Sequence, residues 1–273
     1  MSTTFNKKNQ VALVFGELAT TYYSSTTATK EMPVILLETN SFDLPKNLNN
    51  NFTSFEIDTN GTGADPKVGR ELAKLKLEQI KSLVANYDVI NIFFAVGGGT
   101  SGSALEVADS LTTSKLVLLH PVPLITTDAT KGRRVTNKEY SVQAMSKHNH
   151  CWIDCSQSNS LKNIVQLVKQ RTEDLLTICE FRSLDNNDFR SLFNGSQFQL
   201  LVNDCVFKTK TKLQEFLSDP ITSFFVGETS QEGNLASAKM LQLLLKTYLA
   251  SEGNSKVSPK VGIKKQLLTI VCR

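Results

Sequence analysis

Through its first half the chain alternates short apolar runs with amphipathic stretches, and that alternation narrows the possible folds more than any other feature of the sequence. Strand-like runs fall at Val11–Phe15, Val34–Glu38, Ser54–Ile57, Val89–Val96, Lys115–His120 and Cys151–Cys155. Helical patterns lie between them at Lys67–Ala85, Ser103–Ser110 and Asn137–Lys147. Interleaved strands and helices are the signature of βαβ units, so an α/β fold with a Rossmann-like parallel sheet is expected. Each strand runs into a loop rich in Gly, Thr, Ser, Asn or Asp. In an open parallel sheet the loops at the carboxyl ends of the strands are where ligands bind.

From Asn159 to Phe181 the pattern changes to one long helix, with Leu161, Ile164, Val165, Val168, Leu175 and Ile178 recurring at steps of three and four. That length suits a spine between two domains. Beyond it, Ser183-Leu184-Asp185-Asn186-Asn187-Asp188 is a polar break. The remainder reads as a small α+β module, with strands near Phe198–Phe207, Ile221–Val226 and Lys264–Val271 and an amphipathic helix over Asn234–Ala250. The expected division is a ligand-binding domain over residues 1–158, a central spine helix over 159–182 and a C-terminal domain over 183–273.

Composition excludes several classes. Hydrophobic content of 40% and charged content of 21% are those of a globular chain rather than a disordered or fibrous one. The net charge of +4 is spread without a dense basic block, so nothing argues for direct nucleic-acid binding. No apolar run is long enough to span a membrane, and the polar stretch Met1–Gln10 lacks the apolar core of a leader, so a cytoplasmic protein is expected. Five cysteines read as reduced thiols. Cys151 and Cys155, with His148 and His150 before them, are spaced as in some zinc sites. Alternation along a buried strand puts both sulfurs on one face with Ile153, however, and no metal site is expected there.

The chemistry concentrates in Val96-Gly97-Gly98-Gly99-Thr100-Ser101-Gly102-Ser103, a glycine-rich turn that leaves an apolar strand and enters a helix. Glycines let backbone amides close on an anion, and the helix N-terminus adds its dipole and unpaired N–H groups. The turn lacks the lysine and spacing of a Walker A loop. It contains Gly-x-Gly-x-x-Gly, but no acidic residue ends a second strand about twenty residues later. A nicotinamide enzyme would need one, and Glu38, the only candidate, precedes the turn.

The same residues resemble the tubulin/FtsZ signature Gly-Gly-Gly-Thr-Gly-Thr/Ser-Gly, with the last three positions shuffled. Upstream, Gly61-Thr62-Gly63-Ala64-Asp65-Pro66-Lys67-Val68-Gly69 is similar to the segment that wraps the terminal phosphate in that superfamily, and Asn40-Ser41 resembles its Asn-Thr-Asp loop. Downstream, Lys131-Gly132-Arg133-Arg134 resembles its Glu-Gly-x-x-Arg stretch, with Lys131 where a glutamate is expected. Asn163 falls at the guanine-contacting position of the central helix, where an amide can read the guanine edge. Ser183-Leu184-Asp185-Asn186-Asn187-Asp188 looks like the catalytic loop after that helix. The first loop departs from the pattern: a single glycine, Gly16, is followed by Glu17. A carboxylate beside phosphate repels it unless it points away or helps hold a cation.

The resemblance spans roughly residues 10 to 195 and is nearest in character to compact bacteriophage and plasmid tubulins. It implies a tubulin/FtsZ fold that binds GTP or GDP with Mg2+. The implied nucleotide contacts are Gly16, Asn40, Gly61, Gly63, Ala64, Gly97, Gly98, Gly99, Thr100, Ser101, Gly102, Arg133 and Asn163, and the implied catalytic residues are Asp185 and Asp188. It further implies a head-to-tail homopolymer that hydrolyses GTP at the subunit junction, in the host cytoplasm if phage-encoded, with an adaptor or cargo protein as a possible partner. The rival from another class is a tubulin-like structural or adaptor protein that does not hydrolyse GTP.

Overall fold

A computed structural model describes residues 6–24, 32–40, 43–44, 48, 52–123, 131–150, 152–153, 155, 160–180, 186, 198–205 and 265–272. Five strands, β1 (Gln10–Phe15), β2 (Val34–Glu38), β3 (Phe52–Glu56), β4 (Val89–Val96) and β5 (Leu116–Pro123), form one parallel sheet in the order β3-β2-β1-β4-β5. Among the described residues five helices accompany them: α1 (Glu17–Ser24), α2 (Pro66–Leu83), α3 (Thr100–Leu111), α4 (Lys131–Met145) and α5 (Leu161–Glu180). Farther along, β6 (Phe198–Cys205) and β7 (Lys265–Cys272) pair antiparallel, from Phe198 against Cys272 to Cys205 against Lys265. The expected α/β class and the parallel sheet are thus present.

All six residues of β1 are buried, as a strand covered on both faces requires, which is why it reads as a continuous apolar run. Alternate residues supply two cores. Ala12 and Val14 face Leu18 and Tyr22 of α1 and Ile164, Val165 and Val168 of α5. Val11, Leu13 and Phe15 face Ala73 and Ile80 of α2 and Ala104, Leu105 and Ala108 of α3. The result is a three-layer sandwich of helices on sheet on helices.

The bounds of β2 and β4 are those the sequence predicts, and α5 falls within the expected spine. Three differences have physical causes. Helix α1 is absent from the sequence reading because Thr20-Thr21-Tyr22-Tyr23 favours strand. Burial of Leu18, Ala19 and Tyr22 against the sheet overrides that propensity. Helix α4 begins at Lys131, six residues before the expected Asn137, despite Gly132 and a basic first turn that its own dipole disfavours. The Cys151–Cys155 run is not a strand in its described part. Its neighbourhood joins the outer side of β5 through an isolated parallel bridge between Leu119 and His150. Leu119 N–H donates to the Asn149 carbonyl (2.9 Å) and Ile153 N–H to the Pro121 carbonyl (3.1 Å). Between those two bonds Pro121 has no N–H to give, and the ladder breaks. The expected strand Ile221–Val226, the helix Asn234–Ala250, Cys151, Asp185 and Asp188 lie outside the described residues.

A charged clamp ties α2, α3 and α4 together. Arg70 of α2 bonds Glu106 (2.5 Å) and Asp109 of α3 and the Tyr140 hydroxyl of α4 (3.4 Å). Asp109 also receives Lys147 (2.8 Å) and His148 Nε2 (2.7 Å) just beyond α4. On the opposite face a polar thread crosses the middle of the sheet. Asn91 of β4 donates to Gln10 of β1 (2.8 Å), and its carbonyl lies 3.1 Å from Nε2 of His120 of β5, whose ring stacks on Phe93.

These groups set a pH dependence. Burial holds His120, beside the charge of Arg171, well below the usual imidazole range. Burial also lowers His148, outweighing Asp109. Burial alone would raise the Asp109 carboxyl, but bonds from Lys147 and His148 hold it below the ordinary range. The unfolded chain takes up protons on histidine near pH 6.5, before the folded one does, so stability falls as pH drops below about 6.5. The Asp109 contribution is lost lower still, below about pH 4, as pH falls through its depressed folded value. Urea midpoints should therefore be flat above about pH 7.5 and fall between pH 6.5 and 5, and His148→Gln should make that slope shallower. A midpoint independent of pH across that window would contradict this account.

Candidate nucleotide site

The direction of chain progression reverses between β1 and β4, which places a crevice outside their carboxyl ends. Two loops meet there. Gly16 ends β1 with φ +73°, and a side chain added to it would run into the Thr100 hydroxyl at the head of α3. Gly97 ends β4 with φ +94°, and a Cβ there would lie 2.9 Å from the Arg134 carbonyl of α4. Both positions need glycine on two grounds, the left-handed backbone and the lack of space.

Helix α3 begins without a side-chain cap at Gly99. Its early amides at Ser101 and Gly102 turn back onto the carbonyls of Gly98 (3.2 Å) and Gly99 (3.1 Å), leaving those of Gly99 and Thr100 at the helix head. Ser101 is fully buried, and its hydroxyl donates to the Gly98 carbonyl (2.6 Å) and lies 3.0 Å from Ser141 of α4. Its side chain therefore braces the turn, and any contribution to an anion falls to the neighbouring backbone. Gly102 has a packing role as well: a Cβ on it would enter the Pro66 carbonyl of α2, while one on Gly69 would enter the Gly99 carbonyl. Ser103 seals the same contact by donating to the Gly69 carbonyl at 2.7 Å.

The loop between β3 and α2 crosses the mouth of the crevice. Gly61 N–H donates to the Thr39 carbonyl at the end of β2 (2.7 Å), and the loop then reaches the glycine turn, where Thr62 occupies the space a Gly99 side chain would need. Gly61, Gly63 and Ala64 all have positive φ, and Ala64, at 62°, is the one non-glycine among the described residues to do so. Asp65 then caps α2, accepting the Lys67 N–H at 2.8 Å, with Pro66 at the first helical position. Asn40 stands beside Gly61 and donates to Asp43 at 2.8 Å.

Beneath this mouth sits Glu38, 4% exposed, whose carboxylate accepts the Thr39 N–H (2.7 Å). Burial pushes its carboxyl above the ordinary range, with the Thr39 bond opposing. Glu17, the first residue of α1, is exposed beside Gly16. Arg133 falls on the first turn of α4, and its side chain lies outside the described residues. Asn163 is exposed on the first turn of α5, its N–H 3.3 Å from the Ser160 hydroxyl.

The structure thus brings together Gly16, Asn40, Gly61, Gly63, Ala64 and Gly97 to Gly102 in the four loops that follow β1, β2, β3 and β4, on one edge of the sheet. The sequence reading missed Asn137. This side chain of α4, 9% exposed, donates to the carbonyls of Ala64 (2.7 Å) and Gly97 (3.2 Å). A single asparagine in a polar helix carries no signal that would have singled it out. The geometry gives a direct expectation: Gly102→Ala, which drives a methyl into helix backbone, should cost about 1–3 kcal/mol of folding stability in urea, whereas Gly132→Ala, with open space around it, should cost nothing measurable. Equal midpoints for the two variants would rule this packing out.

No family model matches the chain, and no curated protein is similar to it in sequence. Among solved structures it resembles an empty FtsZ dimer from M. jannaschii, with a TM-score of 0.60 at 15% identity over 97% of this chain and 88% of that one. It also resembles a GTPgS-bound CetZ2 protofilament from Haloferax volcanii, with a TM-score of 0.56 at 13% identity over 76% of this chain and 70% of that one. A TubZ subunit from bacteriophage PhiKZ is similar at a TM-score of 0.51 and 13% identity, over 90% of this chain and 99% of that one. With the switch-point crevice, the glycine turn and the long helix that follows the sheet, these likenesses show that the chain has the tubulin/FtsZ fold.

Proposed function

We propose that this protein is a GTP-binding, self-assembling filament protein that hydrolyses GTP where two subunits meet head to tail. The observation that carries the reading is the separation of its two functional segments. The anion-facing loops sit at the head of β1. Asn186, between Asp185 and Asp188 in sequence, accepts from the Lys7 N–H (3.4 Å) just before the foot of that strand. Six strand residues separate the two ends, about 20 Å at the usual rise. Helix α5, twenty residues and about 30 Å long, ends at Glu180, six residues before Asn186. A loop on that far side meets nucleotide only in a neighbouring subunit, and a contact between unlike faces propagates as an open filament. The dimer and protofilament among the structures of similar fold agree with this arrangement.

In this reading the amides around Gly16 and from Gly97 to Gly102 cradle the inner phosphates, using the α3 dipole. Gly61, Gly63 and Ala64 enclose the terminal one, with Asn40 alongside. Arg133 contacts ribose or phosphate, and Asn163 reads guanine. Asp185 and Asp188 of the next subunit orient and polarise the attacking water. Mg2+ bound to the phosphates would neutralise charge as the bond breaks. The domain division at 1–158, 159–182 and 183–273 belongs to the same reading, as does a role in positioning phage or plasmid DNA or virions through an adaptor or cargo protein.

A non-hydrolysing structural or adaptor protein is the second reading, favoured by one observation: the first loop is reduced to Gly16, with the Glu17 carboxylate directly after it. Turnover and light scattering measured together against protein concentration separate the two. The enzyme reading expects turnover that rises cooperatively with assembly, and an Asp188→Ala variant that assembles with turnover lowered about 100-fold or more. Assembly without turnover in the wild type would establish the structural reading, and neither binding nor assembly would overturn both.

A further inference from the structure

The loop from Asp58 to Asp65 leaves β3, an edge strand, yet ends against α3 and α4 over β4 on the other side of β2 and β1. It therefore lies as a strap across the crevice. One end is pinned by backbone, Gly61 N–H to the Thr39 carbonyl at 2.7 Å. The other packs on the glycine turn through Thr62 and is bonded to it by one side chain. Both donors of the Asn137 amide are spent on the site, one on the Ala64 carbonyl of the strap (2.7 Å) and one on the Gly97 carbonyl of the glycine turn (3.2 Å). Ala64 holds a left-handed backbone conformation that disfavours any residue with a side chain, and the bond to its carbonyl holds it there.

Asn137 is itself fixed from below. One helical turn on, Ser141 donates to the Asn137 carbonyl (2.9 Å) and meets Ser101 in the first turn of α3 (3.0 Å). The amide thus stands on a rigid helix and joins two loops that have no sequence relation to each other. Only an amide or a cation could serve two carbonyls at once, and a carboxylate in the same place would repel both.

We propose that Asn137 is a positioning residue that makes the strap and the glycine turn bind a phosphate chain as one unit, and so sets the preference for nucleoside triphosphate over diphosphate. The inference rests on the proposed nucleotide site. A diphosphate seated on the turns at Gly16 and at Gly97 to Gly102 does not reach the strap. A third phosphate reaching the strap is held only if the strap stays against the turn.

The test is the affinity of the full chain for GTP and for GDP, measured by fluorescence competition, in wild type, Asn137→Asp and Asn137→Ala. The aspartate keeps the shape and loses both donors, and the alanine removes the group without adding charge. Both variants should bind GTP at least tenfold more weakly while GDP affinity changes less than threefold, with unfolding midpoints of the nucleotide-free protein close to wild type. That change in ratio is something a merely structural role does not produce. Equal losses for GTP and GDP, no loss for either, or failure of both variants to fold would each overturn the proposal while leaving GTP binding by the wild type intact. A wild type that binds neither nucleotide would overturn this inference together with the functional reading beneath it.

Discussion

Everything at the carboxyl edge of the sheet depends on two helices meeting backbone to backbone. Gly102 of α3 lies against the Pro66 carbonyl and Gly69 of α2 against the Gly99 carbonyl, with Ser103 bonded across the contact. A methyl group at either glycine would push the helices apart by a distance that packed interiors do not absorb without cost. Because they touch at their first turns, the loop that precedes α2 is delivered onto the turn that precedes α3. The site is thus a by-product of packing: once α2 and α3 are seated, Thr62 has nowhere to go but over Gly99.

Below that contact α2 and α3, joined now by α4, are held by charge rather than by close approach. Arg70 reaches Glu106, Asp109 and Tyr140, and Asp109 in turn gathers Lys147 and His148, so α2, α3 and α4 share one partly buried network. Such networks are worth little when fully solvated and more when, as here, the Asp109 side chain is only 20% exposed. The division of labour runs along α3: glycine and serine at its head, where backbone must be available, and carboxylates toward its tail, where only anchoring is required.

Much of this was legible in the sequence. Val34–Glu38 and Val89–Val96 are strands with the bounds that their apolar runs announce, because a doubly covered strand has no alternation to confuse. The glycine turn declared itself since no other residue tolerates Gly97. What escaped detection did so for physical reasons. Helix α1 forms from residues that prefer strand, under tertiary pressure that no local window contains. The described part of the Cys151–Cys155 run is not a strand, beside Pro121, which has no N–H to give and lies some thirty positions away. Asn137 was invisible because its importance lies in two carbonyls 40 and 73 residues distant. The roles given to Asp185 and Asp188 rest on resemblance, and those residues fall outside the described structure.

The break at Pro121 also bears on solubility. A parallel sheet that ends in an intact strand offers a row of unmatched donors and acceptors to any passing chain. Here the outer side of β5 is engaged by Ile153, whose N–H the Pro121 carbonyl accepts, and by Asn149, and between those bonds proline has no N–H to pair. On that flank the row of backbone donors that an edge strand offers to a foreign strand is interrupted.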